Sequence, residues 1–240
     1  IRNLCTKAYD YVIVVPWLES GGGELVGLWH YLAARDLGLQ PLLLLADQPN
    51  VTERFAAHKP DMLNLPELYE QTTGTVYRDL AREDREQVLT TALETLQPQK
   101  MHLIHSFIGY SSLLAKPTRQ RIRAACDKIF VSAFCPHIHS PGNYDGYFRY
   151  IPEIDDVVDQ FVFDNDWYLN EMRDMYRVSR DKVSALKYPI DALAPGQSAH
   201  GARPKVLWAS RFDSQKNPNI VGDIAARLPE IDFVLFGRRV

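Results

Sequence analysis

The sequence predicts an α/β fold in which a mainly parallel, Rossmann-like sheet carries helices on both faces. Short apolar runs recur along the chain and alternate with stretches that have the apolar spacing of helices. Several runs are apolar throughout, as in strands that are buried on both faces of a parallel sheet. With 240 residues, 46% of them hydrophobic, the chain is long enough to bury one large or two modest cores.

The elements follow in order along the chain. Residues 11–15 form a β-branched run, and a glycine cluster separates them from a helical pattern over residues 24–37, with Gly38 as a helix stop. Further strands are predicted at residues 42–45, 62–65, 101–104, 128–132, 160–163 and 182–186. Further helices are predicted over residues 77–96, from about residue 108, and from Pro117.

A change in composition predicts a domain boundary. Residues 194–204 are rich in Pro, Gly, Ser and Ala, which is typical of linkers. We therefore expect an amino-terminal domain over residues 1–191, a linker over residues 192–203, and the beginning of a second Rossmann-like domain over residues 204–240. This second domain is expected to be incomplete, since it has room for about one βαβ unit.

Charge and cysteine content narrow the function classes. The 27 basic and 30 acidic residues give a net charge of −3, which is too small to predict a nucleic-acid partner. The three cysteines, Cys5, Cys126 and Cys135, lack the spacing of a disulfide framework, so a cytoplasmic location is expected. No apolar run approaches the length needed to span a bilayer.

Two loops are candidates for binding an anionic ligand. Arg211 and Lys216 lie in a loop after a predicted strand and beside a helix start, where paired cations suit a diphosphate. Gly21, Gly22, Gly23 and Glu24 join the first strand to the first helix, where glycines permit close approach of a ligand. The glycine spacing does not match a dinucleotide or P-loop motif, and a flexible turn is the alternative.

Histidines supply further candidates. His105 follows the strand predicted at residues 101–104, at the edge where ligands bind, although a lone histidine is often structural. His102 lies inside that strand and is predicted to be structural. Cys135, His137 and His139 alternate as metal ligands can, but the sequence offers no paired partner, and no metal site is predicted. Residues 139–149 are polar and aromatic, which suits either an acceptor-binding loop or an ordered surface loop.

Taken in order, these motifs resemble family 4 retaining glycosyltransferases, which have two Rossmann-like domains in the GT-B arrangement. The resemblance rests on the glycine loop with residues 32–38, on His105, on a hinge at residues 189–191, and on the loop with Arg211 and Lys216. It implies transfer of a sugar from a nucleoside-diphosphate sugar to a hydroxyl of a glycan, a lipid-linked or a small acceptor. The donor is a substrate, and no cofactor is expected.

The resemblance also implies residue roles. Arg211 and Lys216 would hold the diphosphate and offset its developing charge, and the glycine loop would line the cleft near it. His105 would contact the donor sugar or assist the acceptor hydroxyl. A basic cluster around one predicted helix is either a solvated face or a peripheral membrane contact, and it comprises Lys116, Arg119, Arg121, Arg123 and Lys128.

Two alternatives stay open. One is another enzyme of the same architecture, such as an inverting GT-B transferase or a sugar epimerase. A carboxylate base that acts on the acceptor would favour inversion, and Glu19 and Glu24 are candidates for it. A non-catalytic module that binds glycans or nucleotides is the other alternative. The family's later motif with paired glutamates has no counterpart before Val240, so this stretch alone is expected to be inactive.

Overall fold

The structure is a computed structural model that describes residues 7–19, 21–134, 137–140, 143–188, 203–210, 212 and 216–237. The chain divides into two compact units. The larger comprises Ile1–Pro136 with Asp145–Tyr188, and the smaller comprises His137–Tyr144 with Pro189–Val240. Of the linker expected over residues 192–203, only Arg203 lies within the described residues.

The first nine strands along the chain are β1 (Tyr11–Val15), β2 (Pro41–Leu45), β3 (Met62–Asn64), β4 (Lys100–Ile104), β5 (Lys128–Ala133), β6 (His137–Ser140), β7 (Asn143–Asp145), β8 (Gln160–Phe163) and β9 (Val183–Ala185). The larger unit is built on a seven-stranded sheet with the order β3-β2-β1-β4-β5-β8-β9, in which neighbouring strands are parallel. The strands β6 and β7 form a separate two-stranded sheet. The predicted Rossmann-like parallel sheet is confirmed.

Helices flank this sheet, as the sequence predicts. They are α1 (Gly22–Asp36), α2 (Glu53–Ala56), α3 (Leu65–Thr73), α4 (Arg82–Leu96), α5 (Phe107–Leu114), α6 (Lys116–Ala125), α7 (Ile151–Ile154) and α8 (Asp166–Tyr176). The core beside α1 joins Val26 and Leu28 of the helix to Ile13 and Leu43 of the sheet. Complete burial of such side chains is the main stabilising term of the fold.

The smaller unit begins a second Rossmann-like element. The strands β10 (Lys205–Ala209) and β11 (Asp232–Phe236) are parallel and are joined through α9 (Pro218–Arg227). Lys205 pairs with Asp232 and Ala209 with Phe236, so the two strands are in register over their whole length. This is the βαβ unit that the sequence predicts.

One predicted helix is interrupted. The pattern over residues 77–96 forms a 3-10 turn at Tyr77–Asp79 and then, after two extended residues, α4. The buried Tyr77 causes the break, because its hydroxyl donates to the Ala46 carbonyl at 3.0 Å and its backbone N–H donates to Glu70 Oε1 at 2.9 Å. These contacts hold the turn against the end of β2 and override the local preference for a helix.

A glycine inside α1 sets the position of that helix. A Cβ at Gly27 would lie 2.8 Å from Cγ1 of Val15, which is closer than packed carbon atoms approach. The absent side chain lets α1 lie directly on β1. The first turn of α1 is thereby fixed at the carboxyl edge of the sheet.

His102 has the structural role that the sequence predicts. It is buried within β4, with Nδ1 2.6 Å from the Tyr11 hydroxyl and Nε2 2.9 Å from Oγ of Ser132. His30 of α1 lies edge-on to it, with ring centroids 4.5 Å apart. His102 is therefore held away from water inside the sheet, and His30 beside it is partly buried.

Acid is expected to destabilise the larger unit, because His30 is held neutral in the folded chain. Burial lowers the pKa of His30 to about 4 from an ordinary 6.5, and its Nε2 has no hydrogen-bond partner among the described residues. The unfolded chain therefore takes up the proton first. The stability that neutral His30 contributes is complete above about pH 6.5 and declines as the pH falls toward about 4.

This titration alone should lower the free energy of unfolding by about 2 kcal/mol between pH 7 and pH 5, as measured by urea unfolding. His30→Gln should reduce that decline. His102 and His105 contribute to the remainder, because burial also lowers the pKa of each of these imidazoles. The control is His58→Gln at an exposed position. Equal declines in both variants would contradict the assignment.

The predicted basic cluster is largely paired with carboxylates. The pairs are Arg119 with Asp156 at 3.2 Å, Arg121 with Glu94 at 2.7 Å, and Asp159 with both Arg123 at 2.6 Å and Lys128 at 2.9 Å. Pairing neutralises most of the local positive charge. The geometry therefore favours the alternative of a structural, solvated face over a membrane contact.

No group of three or more His, Cys, Asp or Glu within the described residues could hold a metal ion. Cys135 and the side chains of His137 and His139 lie outside the described residues. In the described part of the chain, no helix is long and apolar enough to cross a membrane.

Candidate functional site

The candidate site lies where the strand order of the large sheet changes direction. From β1 the chain proceeds outward to β2 and β3, and then returns to place β4 on the other side of β1. The loops that leave β1 and β4 therefore diverge to opposite sides. Ligands of open α/β sheets bind at the carboxyl edge at such a point.

The glycine loop and His105 meet at this point. Gly21 is the N-cap of α1, and Gly22 is its first residue. A Cβ at Gly22 would meet nothing within 4 Å, whereas one at Gly23 would lie 3.4 Å from Cβ of His105. The structure thus brings two of the predicted site elements close together, and it leaves open space above Gly22.

Glu24 occupies the amino-terminal turn of α1. The residue is buried, and its carboxylate lies directly against Gly21, where any side chain would collide with it. A negative charge at a helix amino terminus is stabilised by the helix dipole. The chain's own carboxylate therefore uses part of the anion-binding capacity of this turn.

His105 has an unusual backbone conformation. Its φ is 60°, in the left-handed region that few residues other than glycine adopt. The following residue, Ser106, caps α5, and its Oγ accepts a hydrogen bond from the Gly109 N–H at 2.9 Å. The strained residue is held in place because the strand before it and the capped helix after it are both fixed.

The His105 ring is set among aromatic side chains. Its centroid lies 5.1 Å from that of Tyr147, which meets it edge-on, and 5.6 Å from that of Phe134. Tyr147 in turn stacks on Tyr110 with centroids 4.3 Å apart. Although His105 reaches solvent, the surrounding protein lowers its pKa below the ordinary value through desolvation. A neutral ring can accept a proton or a hydrogen bond.

A buried carboxylate fixes the loop that carries His105. Asp47 follows β2, and its Oδ1 accepts hydrogen bonds from Ser106 Oγ at 2.8 Å and the Ile108 N–H at 3.0 Å. Its Oδ2 accepts one from the Phe107 N–H at 2.8 Å. Burial raises the pKa of Asp47, and these hydrogen bonds oppose that shift. Asp47 thus ties the end of β2 to the start of α5.

A cavity of about 580 Å³ adjoins this loop. It lies beyond the end of β2, and Phe107 and Ile108 of α5 form one side of it. The remaining lining residues are Trp17, Asp47, Gln48, Pro49, Asn50, Pro66, Glu70, Val76, Tyr77, Arg78 and Arg85. Its volume is within the range of sites for small molecules, and its lining mixes aromatic, amide and charged groups.

The predicted diphosphate loop belongs to the smaller unit. Arg211 lies outside the described residues. Lys216 is exposed and precedes Asn217, the N-cap of α9. Within this unit Gly237 lies so close to the Ser210 carbonyl that a side chain there would collide with it. His105 belongs to the larger unit, and Lys216 belongs to the smaller one.

Sequence reasoning missed Asp47, Arg85 and Gly27. An aspartate directly after an apolar strand is a signal for Asp47, because side chains at that edge can reach neighbouring loops. A glycine inside an amphipathic helix is the signal for Gly27. Arg85 has no comparable signal, since it looks like any other charged residue on a helix.

No protein-family model matches the sequence, and no curated protein matches it. Solved structures do match in fold. A glycosyltransferase from Rickettsia africae superposes with a TM-score of 0.60 at 11% identity, covering 96% of this chain and 69% of its own. HepE from Anabaena, in complex with UDP and glucose, gives 0.64 at 13%, covering 97% and 62%.

MurG from Acinetobacter baumannii gives a TM-score of 0.51 at 8% identity, covering 95% of this chain and 66% of its own. The chain therefore spans from 62% to 69% of the length of these three structures. Similarity at such low identity is a similarity of fold. The chain has the Rossmann-like, GT-B type of fold that these glycosyltransferases have.

Proposed function

We propose that this chain is part of a retaining glycosyltransferase, which moves a sugar from a nucleoside-diphosphate sugar to a hydroxyl of a glycan, a lipid-linked or a small acceptor. Residues 1–191 would form the acceptor-side domain, and residues 204–240 the beginning of the donor-side domain. The observation that carries the proposal is the close approach of Gly23 to His105 at the point where the strand order reverses. The fold that the chain has in common with glycosyltransferases supports it.

The larger unit would position the reacting hydroxyl. The open space above Gly22 admits a sugar, since no side chain projects there. His105 borders this space through its close approach to Gly23, and its neutral ring can accept a hydrogen bond from the attacking hydroxyl or from a hydroxyl of the donor sugar. Its fixed backbone would hold the ring at one orientation, as catalysis by positioning requires.

The smaller unit would bind the diphosphate of the donor. Lys216 lies just before α9, and Arg211 follows β10 in the sequence, so both belong to the loop at the carboxyl end of that strand. Their charges would offset the negative charge that develops on the leaving diphosphate. The UDP in the HepE structure supports a nucleotide as the donor's leaving group.

An inverting reaction is the second candidate, and the position of Glu24 favours it. A buried carboxylate beside the glycine loop could serve as a base toward an acceptor hydroxyl. The configuration of the product at its anomeric carbon, determined by NMR, separates the two. A product with the anomeric configuration of the donor supports the first proposal. A product with the opposite configuration, formed by an activity that Glu24→Gln abolishes, supports the second.

Removing Arg211 and Lys216 should abolish most nucleotide binding. We expect the full-length natural protein to bind one of UDP, GDP and ADP selectively, and the Arg211→Ala, Lys216→Ala variant to bind it about a hundredfold more weakly. Loss of two charge-assisted contacts costs on the order of 3 kcal/mol. Calorimetric titration measures this, and hydrolysis of the corresponding donor sugar is followed in parallel.

A matched control removes two exposed positive charges elsewhere in the same unit, through Lys205→Ala and Arg227→Ala. This control should bind the nucleotide as the unchanged protein does. If none of the three nucleotides binds the unchanged protein, the donor site is wrongly assigned. That result would favour the alternative of a non-catalytic, glycan-binding module.

A further inference from the structure

We infer that the cavity beyond β2 receives an acceptor that carries an anionic group, either a phosphate or a carboxylate, on a body about the size of a sugar. That the ligand is an acceptor rests on the proposed function. The preference for negative charge rests on the side chains of the cavity itself.

The two carboxylates of the cavity already have partners. Asp47 accepts three hydrogen bonds from the start of α5, so both of its oxygens are engaged. Glu70 Oε1 accepts the backbone N–H of Tyr77 at 2.9 Å, which holds the 3-10 turn in place. The negative charges therefore serve the structure of the cavity wall.

Within the part of the chain that the structure describes, the guanidinium groups of Arg78 and Arg85 make fewer hydrogen bonds than the two carboxylates do. Nε of Arg85 is buried and has no hydrogen-bond partner in the described part of the chain, although the Arg85 charge is close enough to Asp47 to lower the pKa of that carboxyl. Among the described residues, Arg78 forms one distant ion pair, with Asp79 at 3.9 Å, and both side chains are exposed. A buried N–H without a partner is costly, and guanidinium groups bind phosphate and carboxylate through paired hydrogen bonds. An anion would supply the missing partner.

The remaining lining residues suit the body of a sugar. Trp17 and Phe107 present aromatic surface, and Phe107 is 45% exposed although it is a large apolar side chain. Aromatic faces pack against the apolar faces of sugar rings. Gln48 and Asn50 add amide groups that can bond hydroxyls.

The test compares three probes of similar size, which are glucose 6-phosphate, glucuronate and the neutral methyl glucoside. Each is titrated calorimetrically into the full-length natural protein in the presence of an excess of whichever of UDP, GDP and ADP it binds, so that phosphate binding at a donor site is blocked. At least one anionic probe should bind at least about tenfold more tightly than methyl glucoside. The anion that binds more tightly identifies the group as phosphate or carboxylate.

Arg85→Gln should remove this preference, lowering affinity for the anion at least about tenfold and leaving methyl glucoside unaffected. The matched control is Arg82→Gln, one turn earlier on α4, where the side chain pairs with Glu83 and Glu86 outside the cavity. Arg78→Gln is a second test at an exposed position, so it remains informative if Arg85→Gln fails to fold.

Equal binding of all three probes, or an anion affinity that survives both Arg85→Gln and Arg78→Gln, would overturn the inference. Its failure is distinct from failure of the proposed function. If the protein turns over a donor sugar but shows no preference for the anionic probes, the proposed transferase function stands and the inference of an anionic acceptor fails. If anion binding depends on Arg85 but the protein binds no nucleotide, the anion site is supported and the proposed transferase function fails.

Discussion

Replacing His105 with asparagine is expected to lower the rate of sugar transfer by the full-length protein a hundredfold or more, with little change in stability. Groups that accept a proton or orient a reacting hydroxyl contribute about 10²- to 10⁴-fold to a rate. Asparagine keeps a polar side chain but cannot take up a proton at neutral pH. The loss should therefore appear mainly in kcat.

Asparagine is chosen because of the backbone at this position. With φ at 60°, His105 lies in the left-handed region, which asparagine tolerates better than alanine does. His105→Ala should therefore lose both activity and some stability, and comparing the two variants separates chemistry from strain. His58→Asn, at an exposed position after α2, is the control and should retain full activity.

The pH profile gives a second measure of the same role. The surrounding protein lowers the pKa of His105, so the ring stays neutral down to a pH below its ordinary value of about 6.5. Activity that needs the neutral ring should hold at pH 6.5 and fall only at more acidic pH. That acidic limb should vanish in His105→Asn. Unchanged kcat in the variant would remove His105 from the mechanism.

Most of the fold was predictable because its strands are buried on both faces. Uninterrupted apolar runs such as residues 11–15 and residues 42–45 have few alternatives to a parallel sheet, and the structure places strands there. The interrupted helix over residues 77–96 was not predictable. Its break depends on Tyr77 bonding to Ala46 and Glu70, and local sequence does not encode such contacts.

The candidate site was predictable only in part, for a similar reason. His105 and the glycine loop each follow a strand, and the carboxyl ends of parallel strands share one edge of a sheet. Their close approach, however, depends on β1 and β4 being neighbours, which the strand order decides. Arg85 lines the cavity together with Tyr77 and with residues that are distant from it in the sequence, such as Asp47. Residues whose roles depend on such long-range contacts are invisible to pattern analysis.

Asp47→Ala is expected to lower the free energy of unfolding by about 4 kcal/mol. The variant leaves the Ser106 hydroxyl and the Ile108 N–H without their acceptor in a buried position, and the Phe107 N–H without its acceptor in a partly buried one. Each buried donor without a partner costs about 1–3 kcal/mol, and partial relaxation reduces the sum. Burial raises the pKa of Asp47, so removing its charge recovers part of that cost. Urea unfolding at pH 7 measures the difference.

Asp47→Asn provides a graded comparison, because its oxygen can still accept from Ser106 and Ile108 while its amide nitrogen faces the Phe107 N–H. We expect a loss of about 2 kcal/mol, since one donor is left facing another donor. Asp36→Asn, exposed at the end of α1, is the control and should change stability by less than about 0.5 kcal/mol. An Asp47→Ala variant as stable as this control would show that Asp47 does not hold α5. The link from β2 to the loop with His105 would then need another origin.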